Sequence, residues 1–403
     1  MSCRNRDILV VGAGIGGLTV ARALALRGAN VTVLEQADAI REVGAGIQIS
    51  PNGLAVLRAI GVEEAVRNTG APVAKALVLR DRNGRGLARF PFSGLKRPRD
   101  YLFLHRADLI DVLADAAREA GVNIRLGKRV EKVEPGGRPQ VHLADGESLS
   151  PELVVGADGL HSVVSQAVLR REEPFFTGQV AWRAIVTGDD RPFEAELYMA
   201  PGRHIVTYPL CDGRLRNIVA VEERADWTTE SWSRKDSPQA LRAAFSSLGS
   251  RPRALLERAE NINIWGLFRH RVADKWHAGH VVILGDAVHP TLPFLAQGAC
   301  MAIEDAWVLA KKLDDTSDTR TALDSYQSIR MARVKKTVHT ASGNAWRFHL
   351  GGPLALGVNL GMRVAGVAYP SVMTRTFSWL YDHDVTEGET LVPQASRSTQ
   401  TGT

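Results

Sequence analysis

A short apolar strand followed at once by a glycine-rich turn is the feature that most constrains the fold of this chain. The segment from Ile8 to Val11 is apolar and largely β-branched, and a helical pattern runs on to Leu26 after the turn. The turn itself consists of Gly12, Ala13, Gly14, Ile15, Gly16 and Gly17. Glycines in this arrangement permit a tight turn, close approach of a ligand to the backbone, and close packing of helix on strand. The pattern predicts the first βαβ unit of an α/β, Rossmann-like domain.

A second strand ends in a carboxylate at a position typical of dinucleotide-binding units. Val31 to Leu34 is followed by Glu35, which lies 18 residues after Gly17, close to the usual spacing of about 20. A carboxylate there binds ribose hydroxyls and repels a 2′-phosphate, so this unit fits FAD or NAD and does not fit NADP. The pyrophosphate would lie at the N-terminus of the first helix.

The segment after a later strand narrows the choice of cofactor. Val281 to Leu284 is followed by Gly285-Asp286, a proline-punctuated loop, and a helix predicted to begin at Gln297, Gly298 and Ala299. Asp286 can accept hydrogen bonds from a sugar-alcohol chain, and the helix N-terminus would face the anionic edge of a reduced flavin. With NAD on the glycine-rich turn, this loop would have no cofactor to contact, because no second glycine fingerprint follows a later strand. FAD accounts for both segments.

These segments together resemble the single-component FAD-dependent aromatic hydroxylases. The run from Gly285 to Ala306, with LPFLAQGACMAIEDA inside it, is most similar to salicylate hydroxylase and 3-hydroxybenzoate hydroxylase. The resemblance implies a monooxygenase that takes electrons from NADH or NADPH, uses O2, and hydroxylates a phenolic, carboxylated aromatic molecule through a flavin C4a-hydroperoxide. Two alternatives remain open: an oxygenase of an alkene, quinone precursor, polyketide or hydroxypyridine, and a FAD-dependent NADH oxidase or reductase.

Further cofactor contacts follow from the resemblance. A helix predicted from Leu104 to about Ala120 places Arg106 where the family contacts the ribityl-phosphate part of FAD; a surface arginine in a first helical turn is the alternative. A strand ending in Asp158-Gly159 resembles the second fingerprint of the family. Val130 is assigned to the cofactor on the same resemblance.

The second fingerprint departs from the family pattern at its end. Its usual form, GADGxxSxVR, has Ser165 in this chain where arginine is usual. The departure puts in doubt docking of the nicotinamide nucleotide through that arginine. Arg170 and Arg171 follow nearby and are possible substitutes, with a solvated helix end as the alternative.

Two residues on one predicted strand are the candidates for substrate activation. His204 and Tyr208 are four residues apart on a strand-like segment and therefore face the same side. They resemble the His and Tyr that related hydroxylases place around the ring substrate, where a base or positive charge would help deprotonate a phenol. The alternative is that both are ordinary half-buried sheet residues.

Four further residues are predicted to contact the substrate. Gln48 stands where some pyridine-ring hydroxylases have a catalytic histidine, which favours a benzenoid ring. Arg183 would pair with a carboxylate, or alternatively form a salt bridge at a strand end. Pro293 and Phe294 would line the site with apolar surface and so keep water from it.

Composition excludes several other classes of protein. The chain has 403 residues, 45% of them hydrophobic, a net charge of +6 and three scattered cysteines. The basic residues are interspersed with acids, so a nucleic-acid partner is not predicted. Neither a disulfide framework nor a metal site is indicated by the cysteines. We expect a cytoplasmic enzyme without a signal peptide or membrane span, monomeric or homodimeric, with a small aromatic molecule as its partner.

The domains are predicted to be interleaved along the chain. FAD-binding parts are expected at 1–72, 105–178 and 265–335, and parts of a mixed β-sheet substrate domain at 73–104 and 179–264. C-terminal helices are expected at 336–392, followed by a polar, disordered tail at 393–403.

We expect the purified protein to be yellow and to contain one non-covalent FAD per chain, because the glycine-rich turn, Glu35, Arg106 and Asp286 together match one extended cofactor. Acid precipitation followed by the absorbance spectrum and chromatography of the supernatant measures this. Retention of NAD, or a colourless protein that FAD does not reconstitute, would contradict it.

Overall fold

The computed structural model describes residues 3–40, 45–95, 100–169, 173–227, 234–368 and 375–392. The predicted tail at 393–403, as well as Arg170 and Arg171, lie outside these ranges. The strands in the described ranges are β1 (Asp7–Val11), β2 (Asn30–Leu34), β3 (Gly46–Ile49), β4 (Ala76–Arg80), β5 (Gly86–Pro91), β6 (Leu102–His105), β7 (Asn123–Arg125), β8 (Val130–Glu134), β9 (Gln140–Leu143), β10 (Ser148–Leu149), β11 (Leu153–Gly156), β12 (Phe175–Thr187), β13 (Glu194–Ala200), β14 (Arg203–Leu210), β15 (Leu215–Glu223), β16 (Lys235–Asp236), β17 (Ile262–Arg269), β18 (His277–Ala278) and β19 (Val281–Ile283).

The helices of the same ranges follow the strands in an alternating order at first and gather at the C-terminal end. They are α1 (Ile15–Ala25), α2 (Pro51–Ala59), α3 (Glu63–Asn68), α4 (Arg106–Glu119), α5 (Val164–Val168), α6 (Pro238–Ala244), α7 (Ser250–Glu257), α8 (Gly298–Asp315), α9 (Thr319–Phe348), α10 (Gly352–Ala368) and α11 (Ser378–Tyr381). None of these described helices is long and apolar enough to cross a membrane.

The first sheet carries the glycine-rich turn. Its order among the described strands is β18-β19-β11-β1-β2-β7, and the neighbouring pairs are parallel except β18 with β19. Parallel strands end at one edge of a sheet, so the turn after β1, the loop after β11 and the loop after β19 meet there. β11 and β19 are buried along their whole length, as expected of parallel strands covered on both faces.

Two glycines in the turn are required by close packing. Gly12 has φ +101°, and a Cβ there would lie 2.6 Å from the carbonyl oxygen of Ala157 in the loop after β11. A Cβ on Gly17 would lie 1.9 Å from the carbonyl oxygen of Gly12. By contrast, a Cβ on Gly14 would meet no heavy atom within 4 Å. Gly12 and Gly17 hold α1 against β1, and Gly14 leaves open space beside the backbone.

The second sheet is built from two distant parts of the chain. Its order among the described strands is β16-β17-β12-β15-β14-β13-β4-β5, antiparallel except where β13 pairs with β4. Helices α6 and α7 cover one face, where Trp182 packs edge-on against Phe245. The other face is turned toward the first sheet and the loop after β19.

The predicted fold class is confirmed: an α/β domain with a parallel sheet is interleaved with a mixed sheet and followed by C-terminal helices. One local prediction is wrong. The helix expected from Leu104 begins only at Arg106, because Leu102–His105 forms β6 and pairs with β3. The domain boundaries stay a prediction, although β4 and β5 do join the second sheet.

Substituting Gly17 by alanine is expected to lower the free energy of unfolding by roughly 1–3 kcal/mol, because the added methyl group overlaps a backbone oxygen that cannot move without shifting β1. Gly14→Ala is the matched control, since open space surrounds the added group. Urea unfolding of both apoproteins measures the difference. Equal unfolding midpoints for the two variants would contradict the packing argument.

Candidate active site

One cavity of about 330 Å³ joins the carboxyl edge of the first sheet to the inner face of the second. We call it the central cavity. At one end, the cofactor end, it is bordered by the glycine-rich turn and the loop after β19; at the other, the substrate end, by β12, β14 and β17. The predicted site residues that line it are Gly14, Ile15, Gly16, Gln48, Arg106, Arg183, His204, Tyr208, Asp286, Pro293, Gln297, Gly298 and Ala299.

Two helix N-termini border the cofactor end. Helix α1 is preceded by Gly14 and helix α8 by Gln297, and both first turns, which the structure describes fully, contain no acidic residue. Their partial positive charge is therefore not neutralised by acidic side chains of their own first turns. Two groups of backbone N–H donors at one cavity suit an extended anionic ligand.

Glu35 holds the other side of the glycine-rich turn. One of its carboxylate oxygens accepts a hydrogen bond from the Ala13 N–H (2.8 Å), and the other from the Ala37 N–H (2.9 Å). Each oxygen keeps further lone pairs that can accept from a hydroxyl group. Glu35 therefore fixes the turn and remains able to bind a ribose.

Asp286 and Arg106 lie together at the cofactor end. The carboxylate of Asp286 borders the central cavity. Partial removal of water by the surrounding protein raises its pKa, and the charges of His289, Arg106 and His270 oppose that rise. Among the described lining residues, Asp286 is the one acidic side chain. It is placed to accept hydrogen bonds from a polyhydroxylated chain.

Gln297 is fixed by a buried polar cluster behind the N-terminus of α8. Its side-chain amide donates to the Ser50 hydroxyl (2.9 Å), and its carbonyl accepts from Asn52 (3.1 Å). Asn52 in turn donates to Glu304 (2.6 Å). Each of these four residues is at most 1% exposed.

A buried ion network ties this cluster to the loop that carries Asp286. Arg330 on α9 donates to both Glu304 (2.5 Å) and Asp305 (2.7 Å) on α8, and Arg333 donates to Glu304 (2.8 Å). Asp305 also accepts from the backbone N–H of Gly285 (3.1 Å). Burial alone would raise the pKa of Glu304, but Arg330 and Arg333 lower it to about 2. We call these four side chains the buried ion network.

The substrate end combines apolar surface with a few polar groups. His204 and Tyr208 lie on the inward face of β14, as their spacing predicts, and line the cavity with Val206 between them. Tyr208 stacks on Phe103 with ring centroids 5.1 Å apart. Burial raises the pKa of Tyr208, against the effects of Arg183 and of a hydrogen bond with Gln48.

Arg183 brings positive charge to this end. It lies on β12, and its guanidinium carbon is 4.3 Å from the centroid of the Trp265 ring. The predicted alternative, an arginine at a strand end, does not describe its position, because β12 continues four residues beyond it to Thr187.

Known proteins are similar to this chain over most of its length. The family described as an FAD binding domain matches residues 5–341. The 3-amino-4-hydroxybenzoate 2-monooxygenase of Streptomyces cremeus is 36% identical over 360 residues, which cover 86% of this chain and 89% of that protein. The 3-hydroxybenzoate 6-hydroxylase 1 of Aquipseudomonas alcaligenes is 32% identical and covers 95% of this chain and 99% of its own.

The chain belongs to the FAD-dependent aromatic hydroxylases. Solved structures agree on the fold. A salicylate hydroxylase substrate complex superposes with a TM-score of 0.81 over 98% of this chain and 99% of its own, at 20% identity. Klebsiella pneumoniae HpxO complexed with FAD and uric acid gives a TM-score of 0.81 at 25% identity, over 92% of this chain and 95% of that one.

The residues present in this hydroxylase fit FAD. The open space beside Gly14, the two helix N-termini, and the carboxylates of Glu35 and Asp286 supply the contacts that a pyrophosphate, a flavin edge and the sugar hydroxyls need. These contacts stay predictions for the individual residues.

Other predicted site residues do not line the central cavity. Asp158 accepts from the Ser162 hydroxyl (2.5 Å) and the Val163 N–H (2.7 Å), so it stabilises the start of α5. Val130 is buried in the core around the first sheet. Phe294 lies behind the lining, edge-on to His204 at 5.1 Å. Ser165, which replaces the usual arginine, is fully buried and donates to the Ser162 carbonyl (2.8 Å).

Sequence reasoning missed the buried ion network and its link to Ser50 and Asn52. The pair Glu304-Asp305 was visible in the IEDA end of the Gly-Asp motif, as two consecutive acids in the otherwise apolar segment from Ala299 to Ala310. Two adjacent acids on a buried helix require cationic partners. Arg330 and Arg333 could not be recognised as those partners, because their helix has charged residues on several faces.

Replacing Arg330 by methionine is expected to destabilise the protein by roughly 3–5 kcal/mol, since it leaves two buried carboxylates without their shared partner. Urea unfolding at neutral pH measures the loss. The stability that Glu304 contributes is present above its ordinary pKa of 4.5 and is lost as the pH falls toward about 2. Because the variant lacks Arg330, which lowers this pKa, its free energy of unfolding should fall less steeply with pH over that interval.

The matched control is Arg320→Met on the same helix, because the Arg320 side chain is 88% exposed and its ion pair with Asp324 is long, at 3.9 Å. We expect that change to alter stability by less than about 0.5 kcal/mol. Equal effects of the two substitutions would show that the network does not carry the stability assigned to it.

Proposed function

We propose that this hydroxylase acts on a small benzenoid ring that carries both a hydroxyl and a carboxylate group. The observation that carries the proposal is the position of Arg183 in the wall of the central cavity, together with His204 and Tyr208. One cation and two proton-handling side chains suit a ring with one anionic and one phenolic substituent. The names of two relatives support it, since 3-amino-4-hydroxybenzoate and 3-hydroxybenzoate are benzenoid rings that carry a hydroxyl and a carboxylate group.

Arg183 is proposed to bind the carboxylate. Its guanidinium is held by the Trp265 ring, and an arginine fork can form two parallel hydrogen bonds with a carboxylate. Its charge opposes the rise that burial causes in the pKa of Tyr208, so the two side chains interact within the substrate end. A carboxylate bound there would fix the ring in one orientation.

His204 and Tyr208 are proposed to act on the phenol side of the ring. Burial, followed by the effect of the neighbouring His349, lowers the pKa of His204 well below its ordinary value, so His204 is neutral at physiological pH. A neutral imidazole can accept the phenol proton. Gln48 accepts a hydrogen bond from the Tyr101 hydroxyl (2.8 Å) and borders the same space. Because some pyridine-ring hydroxylases have a catalytic histidine at this position, glutamine supports a benzenoid ring over a pyridine ring.

The apolar lining is proposed to keep water out. Leu292 and Pro293 border the cavity, and Phe294 packs behind them against His204. Bound FAD supplies electron acceptance from NADH or NADPH and the activation of O2. The chain's own part is to hold the ring, remove its proton and exclude water.

We propose that the cofactor is held by the residues that the resemblance assigns to it. The pyrophosphate would lie at the turn from Gly12 to Gly17, the ribose at Glu35, the ribityl chain at Arg106 and Asp286, and the flavin edge at Gln297 to Ala299. A cytoplasmic location and a monomeric or homodimeric state belong to the same proposal.

NADH or NADPH oxidation is expected to be slow alone and strongly accelerated by 3-hydroxybenzoate, salicylate or 3-amino-4-hydroxybenzoate, with hydroxylated product formed. The matching amides should act poorly because they lack the charge that Arg183 binds. Arg183→Met should raise KM for the acid roughly 10- to 100-fold, because a lost hydrogen bond to a charged group costs about 1.5–3 kcal/mol. KM for the amide should not change. Oxidation rates and product chromatography measure both.

Arg224→Met is the matched control, because Arg224 also lies over a tryptophan ring (4.9 Å, Trp182) but does not line the central cavity. Its KM should equal that of the unmodified enzyme. Oxidation that no aromatic acid stimulates, with peroxide as the only product, would favour an NADH oxidase. Equal effects of both arginine substitutions would remove Arg183 from carboxylate binding.

A further inference from the structure

We propose that Glu223, His349 and His204 form a proton relay that carries the phenol proton of the bound substrate to solvent and returns a proton to the product. The inference rests on the proposed function, because it requires a phenolic ring beside His204. Glu223 and His349 lie outside the central cavity and act only through His204, so they are positioning residues rather than catalytic ones.

The three side chains form a continuous hydrogen-bonded chain. Nδ1 of His204 lies 2.7 Å from Nε2 of His349, and Nδ1 of His349 lies 2.7 Å from Oε1 of Glu223. His204 is 1% exposed and His349 is 8% exposed. The Glu223 side chain is 52% exposed, so the row of hydrogen bonds begins at the cavity and ends in solvent.

The fold brings these residues together from separate elements. His204 lies on β14, Glu223 at the end of β15, and His349 at the turn where α9 ends. The backbone fixes the turn, because the Gly202 N–H donates to the His349 carbonyl (3.2 Å) and the Glu223 N–H donates to the Gly202 carbonyl (2.9 Å). Phe294 and Phe348 pack edge-on against His204 and limit its rotation.

The electrostatics keep the histidines neutral, as a relay requires. Burial lowers the pKa of both imidazoles, and Glu223 opposes this only at His349. Among the described residues, Arg203 also acts on the relay by lowering the pKa of His349, and Glu222 lies 3.6 Å from Arg203. A neutral His349 that donates through Nδ1 to Glu223 must accept through Nε2, so His204 carries its proton on Nδ1. Nε2 of His204 is then the acceptor left for a ligand in the cavity.

The transfer balances without leaving a charge on either histidine. The phenol O–H bond breaks and its proton binds Nε2 of His204, while the Nδ1 proton of His204 moves to Nε2 of His349. The Nδ1 proton of His349 moves to Glu223, which releases it to water. The phenolate stays in the cavity, and the same steps in reverse protonate the product and restore both tautomers.

The test measures proton release from the holoenzyme on binding, independently of turnover. The holoenzyme is mixed in weak buffer with the hydroxybenzoate of the panel that binds most tightly, a pH-indicator dye reports release, and the difference spectrum reports phenolate. His349→Gln keeps a hydrogen-bonding side chain but cannot pass a proton on. We expect release to be slower by roughly 10²-fold, the scale of a lost proton-transfer group, with the final amount of phenolate, substrate Kd and FAD content unchanged.

Glu223→Gln should slow release in the same direction, and Glu222→Gln, which alters a neighbouring carboxylate outside the chain, should not. His349→Ala should be slow and should recover when imidazole is added, because the vacated position adjoins the exposed Glu223. Unchanged proton release in His349→Gln would overturn the relay. Slower release that occurs only together with loss of FAD or of thermal stability would overturn it as well.

The failure of the proposed function gives a different result. If no hydroxybenzoate binds to the unmodified enzyme, the proposed function and the relay both fall before any variant is made. If the unmodified enzyme binds the ligand without forming phenolate, the relay is overturned while carboxylate binding by Arg183 stands.

Discussion

The buried ion network of Glu304, Asp305, Arg330 and Arg333 is the constraint on which the rest of the site depends. Two consecutive acids in α8 point in different directions: Asp305 holds the backbone of the loop that presents Asp286, and Glu304 holds Asn52 and so Gln297. Arg330 joins both acids from α9. Two adjacent buried carboxylates are costly to keep ionised without cationic partners, and Arg330 is the partner that they share. The loop and the N-terminus of α8 are therefore set relative to each other by charge pairing rather than by packing alone.

The same arrangement fixes polar groups of the site beside apolar surface. At the cofactor end, the Glu35 carboxylate and the Gln297 side-chain amide are fixed by hydrogen bonds within the protein, so the fold sets their positions. At the substrate end, the second sheet places Arg183, His204 and Tyr208 against an apolar loop. Electrostatic interactions are stronger in such surroundings than in water, which makes a few charged groups sufficient for orientation.

Much of the fold and part of the site were predictable from local patterns. The glycine-rich turn, Glu35 and the Gly-Asp motif predicted the parallel sheet and its cofactor edge, because a strand followed by glycines and a helix has few structural solutions. The facing of His204 and Tyr208 followed from the two-residue period of a strand. The start of α4 was misplaced because Leu104 and His105 fit a helix pattern, yet pairing with β3 favours a strand.

The sequence by itself determined the family, the carboxyl edge of the first sheet and the facing of His204 and Tyr208, since each depends on residues close together along the chain. Only the tertiary structure decided that Arg330 serves two acids, that Asp158 stabilises the start of a helix, and that His349 and Glu223 stand behind His204. His204 and His349 are 145 residues apart, and no periodic pattern spans such a distance. Their contact exists because the beginning of β14, the end of β15 and the end of α9 meet, and the packing of whole elements decides that convergence.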